Sequence, residues 1–461
     1  MPENDNEVDV LDKTENWRRS SLPNFNSFAI EAQMYNIDDV ESDTIVYHND
    51  DFFTLNKNSI SDYYSPIHGP VLKSLSYSMY IPQENPLGSR NGEGVAISRS
   101  SWILGKRFGM RERPYIEHHA RSLSFPLLHE SAVMFPGAYN NATVARFRHE
   151  KDAPWAIQSF FFASWFITER HREALLWSWI VAKWGSIDEI MDDDKKFGMW
   201  NEVTRNNSNS HKYDVYVPYR ETVKEENLKE DLNKADIPLP INTEYSFSSM
   251  DGYGPGYLRQ IWHRLLTRYG WPDLTKKDNR LKTCTIVREK CFGNSSGSTP
   301  SELFKHIAFK EFDQCGDCII TSLIAQSGSK GLSKILPNYS IDLPSYKSLP
   351  HLPLSSDWRN QSFSLSSIIP NEEFKNINLR AFTNRLIMRY NHIFAKTPSQ
   401  FTKIKSPNQL IKALSKADNN PSTTFICLND DIEKTSYISK VNDIMMQWFN
   451  SRWPNPAKWE R

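Results

Sequence analysis

Hydrophobic and polar positions divide the chain into a patterned first part, a broken middle and a patterned end. After a polar, acidic stretch over residues 1–20, Leu22-Pro23 marks a turn. Ala29, Ala32 and Gln33 then favour a helix, with Phe28, Ile30 and Met34 as its apolar contacts. The β-branched and aromatic run Thr44–Tyr47 reads as a buried strand, and it ends in His48-Asn49-Asp50-Asp51. Residues 100–130 mix short elements. Between Pro154 and Trp184 the apolar and aromatic density predicts one or two buried helices, with Gly185 as the stop. The most apolar run there, Ser159–Ile167, is cut off by the polar "TERHRE" of residues 168–173.

From 186 to 300 the chain is polar and interrupted by Pro, Gly and Asn, with a turn-rich loop at Ser248–Tyr257. One helix, "SELFKHIAFKEF", precedes an irregular Ser/Pro/Leu-rich stretch. Regular spacing returns with Leu379, Phe382, Leu386, Tyr390 and Ile393 on one helix face. Ser406-Pro407-Asn408-Gln409 reads as a capping box with Pro at the first helical position. A strand, Thr424–Leu428, runs into Asn429-Asp430-Asp431. Val441, Ile444, Met445, Trp448 and Phe449 then mark an amphipathic helix stopped near Pro454. Two strands therefore end in Asn-Asp-Asp, and a helix follows the second. The pattern predicts an α/β core with polar groups at strand ends, where open α/β sheets place ligands. Its boundaries are a disordered 1–20, a first core part over 21–185, an inserted or lid region over 186–370 and a second core part over 371–461.

Charge removes one class of function. Lys+Arg and Asp+Glu are both 55, so there is no global basic field for nucleic acid. No run of 18 apolar residues occurs, so no segment is expected to span a membrane, and the N-terminus lacks the pattern of a signal peptide. Any membrane tether or secretory leader is expected in a segment outside this chain. Of five cysteines, Cys284, Cys291, Cys315 and Cys318 cluster. Zinc and disulfides are both open readings of that cluster. Cys427, inside "TTFICL", reads as a buried free thiol.

Six stretches occur in a telling order: "SLPNFNSFAIEAQM", "VYHNDDFF", "RFGMRERPYIEHHA", "ARFRHEKDAPW", "RYNHIFAKTPSQF" and "FICLNDDIE…WFNSRWPNP". Together they resemble the Stealth family of sugar-phosphate transferases, with a layout nearest to fungal xylosylphosphotransferase-like members. The resemblance covers roughly 20–184 and 374–461. It implies a Rossmann-like nucleotide-sugar transferase core interrupted by a large, irregular inserted region. The family's first conserved region and the first half of its second have no counterpart here. That absence sets up the expectation of a fragment or a degenerate member.

The implied chemistry is attack of an acceptor glycan hydroxyl on the β-phosphorus of a UDP-sugar, moving sugar-1-phosphate and releasing UMP. Such a transfer needs neutralised diphosphate charge, alignment and a base. Asp50 and Asp51 are the candidate Mn²⁺ or Mg²⁺ ligands, with Asn429 and Asp430 as further metal or outer ligands. Asp51 is also placed among the catalytic residues. His118 is the candidate base, since imidazole titrates near neutrality. The family carries a His-x-Pro-His-like segment there, and Arg121 stands at its second His. Arg146 and Arg148, on one face of an extended segment, suit clamping the diphosphate. Asn26, Ser27 and Glu31 are candidates for fixing sugar hydroxyls in the donor site or orienting Asp50. Each has a plainer alternative: turn or cap for the Asn-Asp-Asp residues, helix N-cap for Asn26 or Ser27, a solvated charge run for the arginines, a surface position for His118.

"IDEIMDDDKKFGMWNE" fails as a calcium loop: counting from Gly198 as the sixth position, the third is Lys195 and the twelfth Thr204. The rivals to the transfer reading are a metal-dependent glycosyltransferase releasing UDP and a truncated, non-catalytic chain. The fungal-type resemblance implies the Golgi lumen. It favours disulfides over zinc and agrees with sequons at Asn141, Asn206, Asn294, Asn338 and Asn360.

Overall fold

The computed structural model describes residues 22–38, 40–86, 92–147, 156–185, 189–206, 209–217, 225–251, 281–293, 299–327, 330–338, 350–369 and 377–455. The expected disorder of 1–20, most of the 248–257 loop, Arg148 and Asn294 lie outside them.

Twelve strands are described: β1 Thr44–Tyr47, β2 Phe52–Thr54, β3 Tyr64–Ser65, β4 Gly69–Tyr80, β5 Arg113–Ile116, β6 Arg121–Ser124, β7 Lys212–Val217, β8 Glu244–Ser248, β9 Leu281–Val287, β10 Ile393–Lys396, β11 Ser399–Ile404 and β12 Phe425–Asp430. They form small mixed sheets. One has the order β3-β4-β10-β8 with β5 added on β4, and a second has β11-β12-β2; β1 pairs β6 and β7 pairs β9. The parallel pairs are β4 with β10 and β11 with β12. Between β11 and β12 runs the helix Pro407–Asn419, making a β-α-β unit within this α/β fold.

One helix, Ser159–Trp177, organises the core. Gln158 caps it through the Phe161 N–H at 2.6 Å, and a π-helical stretch, Ser178–Lys183, extends it. It ends at Gly185, where a Cβ would meet the Val181 carbonyl oxygen at 2.3 Å. All of its residues are buried. The "TERHRE" stretch does not end the buried run, because its charges are paired internally. Arg170 bridges Glu130 and Glu173, Arg172 pairs Asp317, and Arg113 pairs Glu169. Paired, hydrogen-bonded charge can be buried where isolated charge cannot.

The described part of 186–370 shares this core through Val215, Ile286, Leu303, Phe304, Ile319 and Phe363. More of it is regular than its composition implies. Helices cover Asp193–Val203, Glu225–Lys234, Pro300–Lys305 and Cys318–Ser327. The last buries polar Thr321, Ser322 and Ser327 along with its apolar residues, so no apolar face stands against an exposed polar one. Asp192 caps Asp193–Val203 through the Lys195 N–H at 2.8 Å, so the acidic run starts a helix and does not form a calcium loop. Disulfides Cys284–Cys318 and Cys291–Cys315 tie β9 and the following helix to this region, and Cys427 is a buried free thiol. Thiol titration of the denatured, unreduced protein is therefore expected to find one thiol per chain, and five after reduction.

Four local readings change. Strand β1 is half-buried, with Val46 47% exposed, because among the described residues it pairs only with β6. The first helix stops after Ser27–Glu31, and Ile30 faces outward. Ile393 lies in β10, beyond the helix Leu379–Met388. At Ser406 the capping box does not form, because the Gln409 side chain reaches past the cap to accept from the Lys405 N–H at 2.9 Å.

Candidate active site

The two faces of β12 do different work. Ile426 and Leu428 pack with Leu410, Leu414, Val441 and Trp448 from the flanking helices. Alternation sends Phe425, Cys427 and Asn429 to the other face. There Phe425 and Cys427 meet Phe52 and Ala120. The turn Asn49-Asp50-Asp51 leads from β1 into β2, and β2 lies antiparallel on β12 with Phe52 opposite Cys427. The two Asn-Asp-Asp motifs, distant in sequence, thus meet at the carboxyl end of β12.

Asp51 is the centre of that meeting. Its carbonyl accepts from the Leu428 N–H at 2.9 Å. Its carboxylate oxygen Oδ2 accepts from Cys427 Sγ at 3.1 Å and from Asn429 Nδ2 at 3.3 Å. Burial and the Asp51 carboxylate push the Cys427 thiol far above its usual range, so it stays protonated and acts as a donor. Half-buried Asp51 is held by neutral donors alone among the described residues, and exposed Asp50 is its neighbour. Two carboxylates without a cationic side chain between them fit a divalent cation. Among the described residues no three His, Cys, Asp or Glu side chains gather to hold a metal by themselves. Mg²⁺ does not require such a cage, since it is commonly held by one or two carboxylates together with substrate phosphates.

Arg121, opposite Tyr47 in the β1–β6 pair, is buried beside this turn. Its guanidinium lies 3.9 Å from the Phe160 ring centroid and donates to Asn49 Oδ1 at 3.4 Å. Burial pulls its pKa down, and Glu31, Tyr115, Glu93 and Tyr47 act against that. The Tyr47 hydroxyl donates to Glu31 Oε1 at 3.3 Å, and burial, then Glu31, raise it to about 12. Glu31 is thereby connected to the acidic turn through Tyr47, Arg121 and Asn49.

His118 lies on the loop between β5 and β6. Its Nε2 is 3.1 Å from Glu93 Oε1, and its Nδ1 is 2.7 Å from the Tyr115 hydroxyl, whose single proton serves either Nδ1 or Glu93 Oε1, 3.2 Å away. A carboxylate on Nε2 fixes the tautomer and leaves Nδ1 as the basic nitrogen, the logic of oriented histidine bases. The adjacent His119 points away, stacked on Phe425 at 4.7 Å and bonded to Glu117. Burial lowers its pKa, against the pull of Glu117.

The remaining candidates divide. Asn26 caps the first helix through the Phe28 N–H at 3.2 Å and donates to the Ala145 carbonyl at 2.9 Å. With no exposed surface, it clamps the neighbouring segment and offers no atom to a ligand. Phe25 N–H to the Arg146 carbonyl, 2.9 Å, completes that clamp and presents exposed Arg146 at the surface. Ser27 is half-buried in the same helix. Exposed Asp430 caps the turn after β12 through the Ile432 N–H at 3.1 Å, while Asn429 alone reaches Asp51. Sequence reasoning missed Glu93, Tyr115 and Cys427 as partners of the site. Only Cys427 carried a signal, lying two residues before Asn429 and so on the same strand face.

These features define an α/β protein with an acidic turn at the carboxyl end of a β-α-β strand, a buried arginine bonded to that turn, and a carboxylate-oriented histidine three residues before the arginine. Residues 418–461 match the Stealth protein CR4, conserved region 4. The chain is 30% identical over 473 residues to the 3-O-alpha-D-mannopyranosyl-alpha-D-mannopyranose xylosylphosphotransferase of Cryptococcus neoformans var. neoformans serotype D, covering 96% of this chain and 52% of that protein. The same enzyme of C. neoformans var. grubii is equally similar. Exopolysaccharide phosphotransferase CpsY of Mycobacterium leprae is 30% identical over 134 residues, 29% of this chain and 24% of its own. The chain is thus similar to Stealth proteins in conserved region 4 and to fungal and mycobacterial phosphotransferases, and it spans about half the length of the fungal relatives it matches.

Proposed function

We propose that this chain carries catalytic machinery of a sugar phosphotransferase, moving sugar-1-phosphate from a UDP-sugar to a hydroxyl of an acceptor glycan. The observation that supports it most is the meeting of Asp51 with Asn429 across β2 and β12, with Arg121 bonded to Asn49 of the same turn. The acceptor oxygen forms a bond to the β-phosphorus, and the bond from that phosphorus to the bridging oxygen breaks. UMP leaves with the electron pair. His118 Nδ1 takes the hydroxyl proton once Tyr115 gives way, and Glu93 stabilises the resulting imidazolium. Arg121 supplies fixed positive charge near the diphosphate. Asp51 and Asp50, with Asn429, would hold Mn²⁺ or Mg²⁺, which neutralises phosphate charge when bound. The paired cysteines and the exposed sequon residues Asn141, Asn206, Asn338 and Asn360 support a secretory setting, which we place in the Golgi lumen.

The test incubates the protein with a panel of UDP-sugars, UDP-xylose included, and an α-1,3-linked mannose disaccharide, following nucleotide products with and without Mn²⁺ or Mg²⁺. UMP release that stops with EDTA and returns with metal is expected. UDP as the sole nucleotide product would overturn the reading in favour of ordinary glycosyl transfer. No nucleotide release at all would leave a binding chain.

A further inference from the structure

Lys73, in β4, is fully buried. Lysine is rarely placed so without a paired carboxylate. Here no carboxylate comes within ion-pair distance among the described residues. The two acidic groups that act on it, Asp62 and Glu117, are engaged elsewhere. Asp62 accepts from the N–H groups of Ser59, Ile241 and Asn242 at 2.7, 3.2 and 2.9 Å. Glu117 is bonded to His119. What the ammonium does have is one carbonyl and two ring faces. It donates to the Ala120 carbonyl at 3.2 Å and sits 4.3 Å from the Tyr63 centroid and 5.1 Å from that of Phe425. Burial lowers its pKa to about 7, against the pull of Asp62 and Glu117. A group kept at such a desolvation cost needs a reason beyond packing.

The backbone supplies that reason. The Lys73 carbonyl accepts from the Glu117 N–H at 2.8 Å. The same residue therefore grips both ends of the tetrapeptide Glu117-His118-His119-Ala120, one end by its carbonyl and the other by its ammonium. His118 lies between the two grips, and Arg121 follows the second. The rings under the ammonium belong to the site as well, since Phe425 shares the β12 face of Cys427 and Asn429.

We propose that Lys73 is a positioning residue for the reaction, a two-point clamp that fixes the loop presenting His118 and Arg121 to the acidic turn. The role in turnover rests on the transfer reading above; the clamp itself does not. Removing the ammonium frees the Ala120 end while the backbone grip on Glu117 remains. The loop then loses its fixed height, and the base and the guanidinium lose their alignment. Small displacements of that kind are felt mainly in the chemical step.

The test is Lys73→Met in the full chain, which keeps the unbranched stem and removes the donor, alongside Lys73→Arg, which keeps a cationic donor. Amide hydrogen exchange and nucleotide release are both followed. For Lys73→Met we expect an unchanged or higher Tm and at least tenfold faster exchange confined to residues 118–121. Turnover should fall roughly 10- to 100-fold with KM for the donor within about twofold. Lys73→Arg should recover part of the lost protection. Unaltered exchange at 118–121 in the Met variant would overturn the clamp. So would faster exchange spread evenly over the protein with a lower Tm, the mark of a plain core residue. If Lys73→Met does not fold, the Arg variant decides: protection retained at 118–121 supports the clamp, and loss there with β4 intact overturns it. A wild-type chain that releases no nucleotide sinks the transfer reading and leaves the clamp to be decided by exchange.

Discussion

Asp51→Asn is expected to lower turnover by about 10²-fold or more, and His118→Gln by ~10²–10⁴-fold, each with little change in melting temperature. The contrast follows from where the two side chains lie. Asp51 is half-buried, and Asn in its place still accepts from the Cys427 thiol and can still pair with the Asn429 amide, so shape and hydrogen bonds survive. Only the charge is removed, and charge is what holds a divalent cation and orients the diphosphate. Asp50→Asn removes charge from the exposed neighbour, and a rise in metal demand is expected there too. His118 sits at the surface end of its contacts with Glu93 and Tyr115, and Gln keeps a polar group in reach of both. It cannot accept the acceptor's proton. Glu93→Gln serves as the control on orientation, since it keeps a hydrogen bond to Nε2 and removes the stabilisation of imidazolium; a loss smaller than that of His118→Gln is expected. Turnover near wild type in both Asp51→Asn and His118→Gln would remove these residues from the chemistry. Loss of activity that tracks loss of folding would do the same.

Much of this site was legible in the order of motifs, and little of it in any one of them. Asp51 and Asn429 are 378 residues apart, and nothing in either tripeptide says that they touch. What brings them together is the antiparallel register of β2 on β12, fixed by Phe52 opposite Cys427. Register is a property of two strands at once, so one strand's pattern does not contain it. The helix over Ser159–Trp177 was readable from apolar density, yet its polar half misled because pairing partners such as Glu130, Asp317 and Tyr390 lie far away in sequence. Strand β4, which carries Lys73, has Pro, Ser and Lys among its apolar residues and gives no clean alternation over its length. Asn26 shows the opposite limit. Its cap was visible in the sequence, but its clamp on Ala145 depends on a segment 119 residues away, which turned a candidate ligand contact into a structural one.

Arg170→Met is expected to destabilise the protein by roughly 3–5 kcal/mol at neutral pH, the largest stability effect anticipated for any single change here. The guanidinium is fully buried and serves four groups: Glu130 Oε1 at 3.0 Å, Glu173 Oε2 at 2.6 Å, the Leu352 carbonyl at 3.1 Å and the Tyr390 hydroxyl at 3.0 Å. Methionine fills much of the space and satisfies none of them. Glu173 keeps Arg107 at 2.8 Å, and Glu130 keeps Arg389 at 3.1 Å, so each carboxylate is left half-compensated in an environment that excludes water. The pH dependence gives the effect a signature that cavity formation would lack. Burial alone would raise the Glu173 carboxyl, and Arg107 and Arg170 reverse this, holding it below its usual range. A depressed folded-state pKa contributes stability that is present above the unfolded value near pH 4.3 and lost as pH falls through the folded one. Without Arg170 that contribution shrinks, because Glu173 takes a proton more readily and no longer carries an undercompensated charge when it does. The deficit of the variant against wild type should therefore be greatest near pH 7 and narrow as pH falls below about 5. Urea unfolding at a series of pH values measures it, with the midpoint moving and the slope held if the denatured state is unchanged. A deficit independent of pH would mean that Arg170 stabilises by packing alone, and that the charges on the central helix are not what join the middle of the chain to the core.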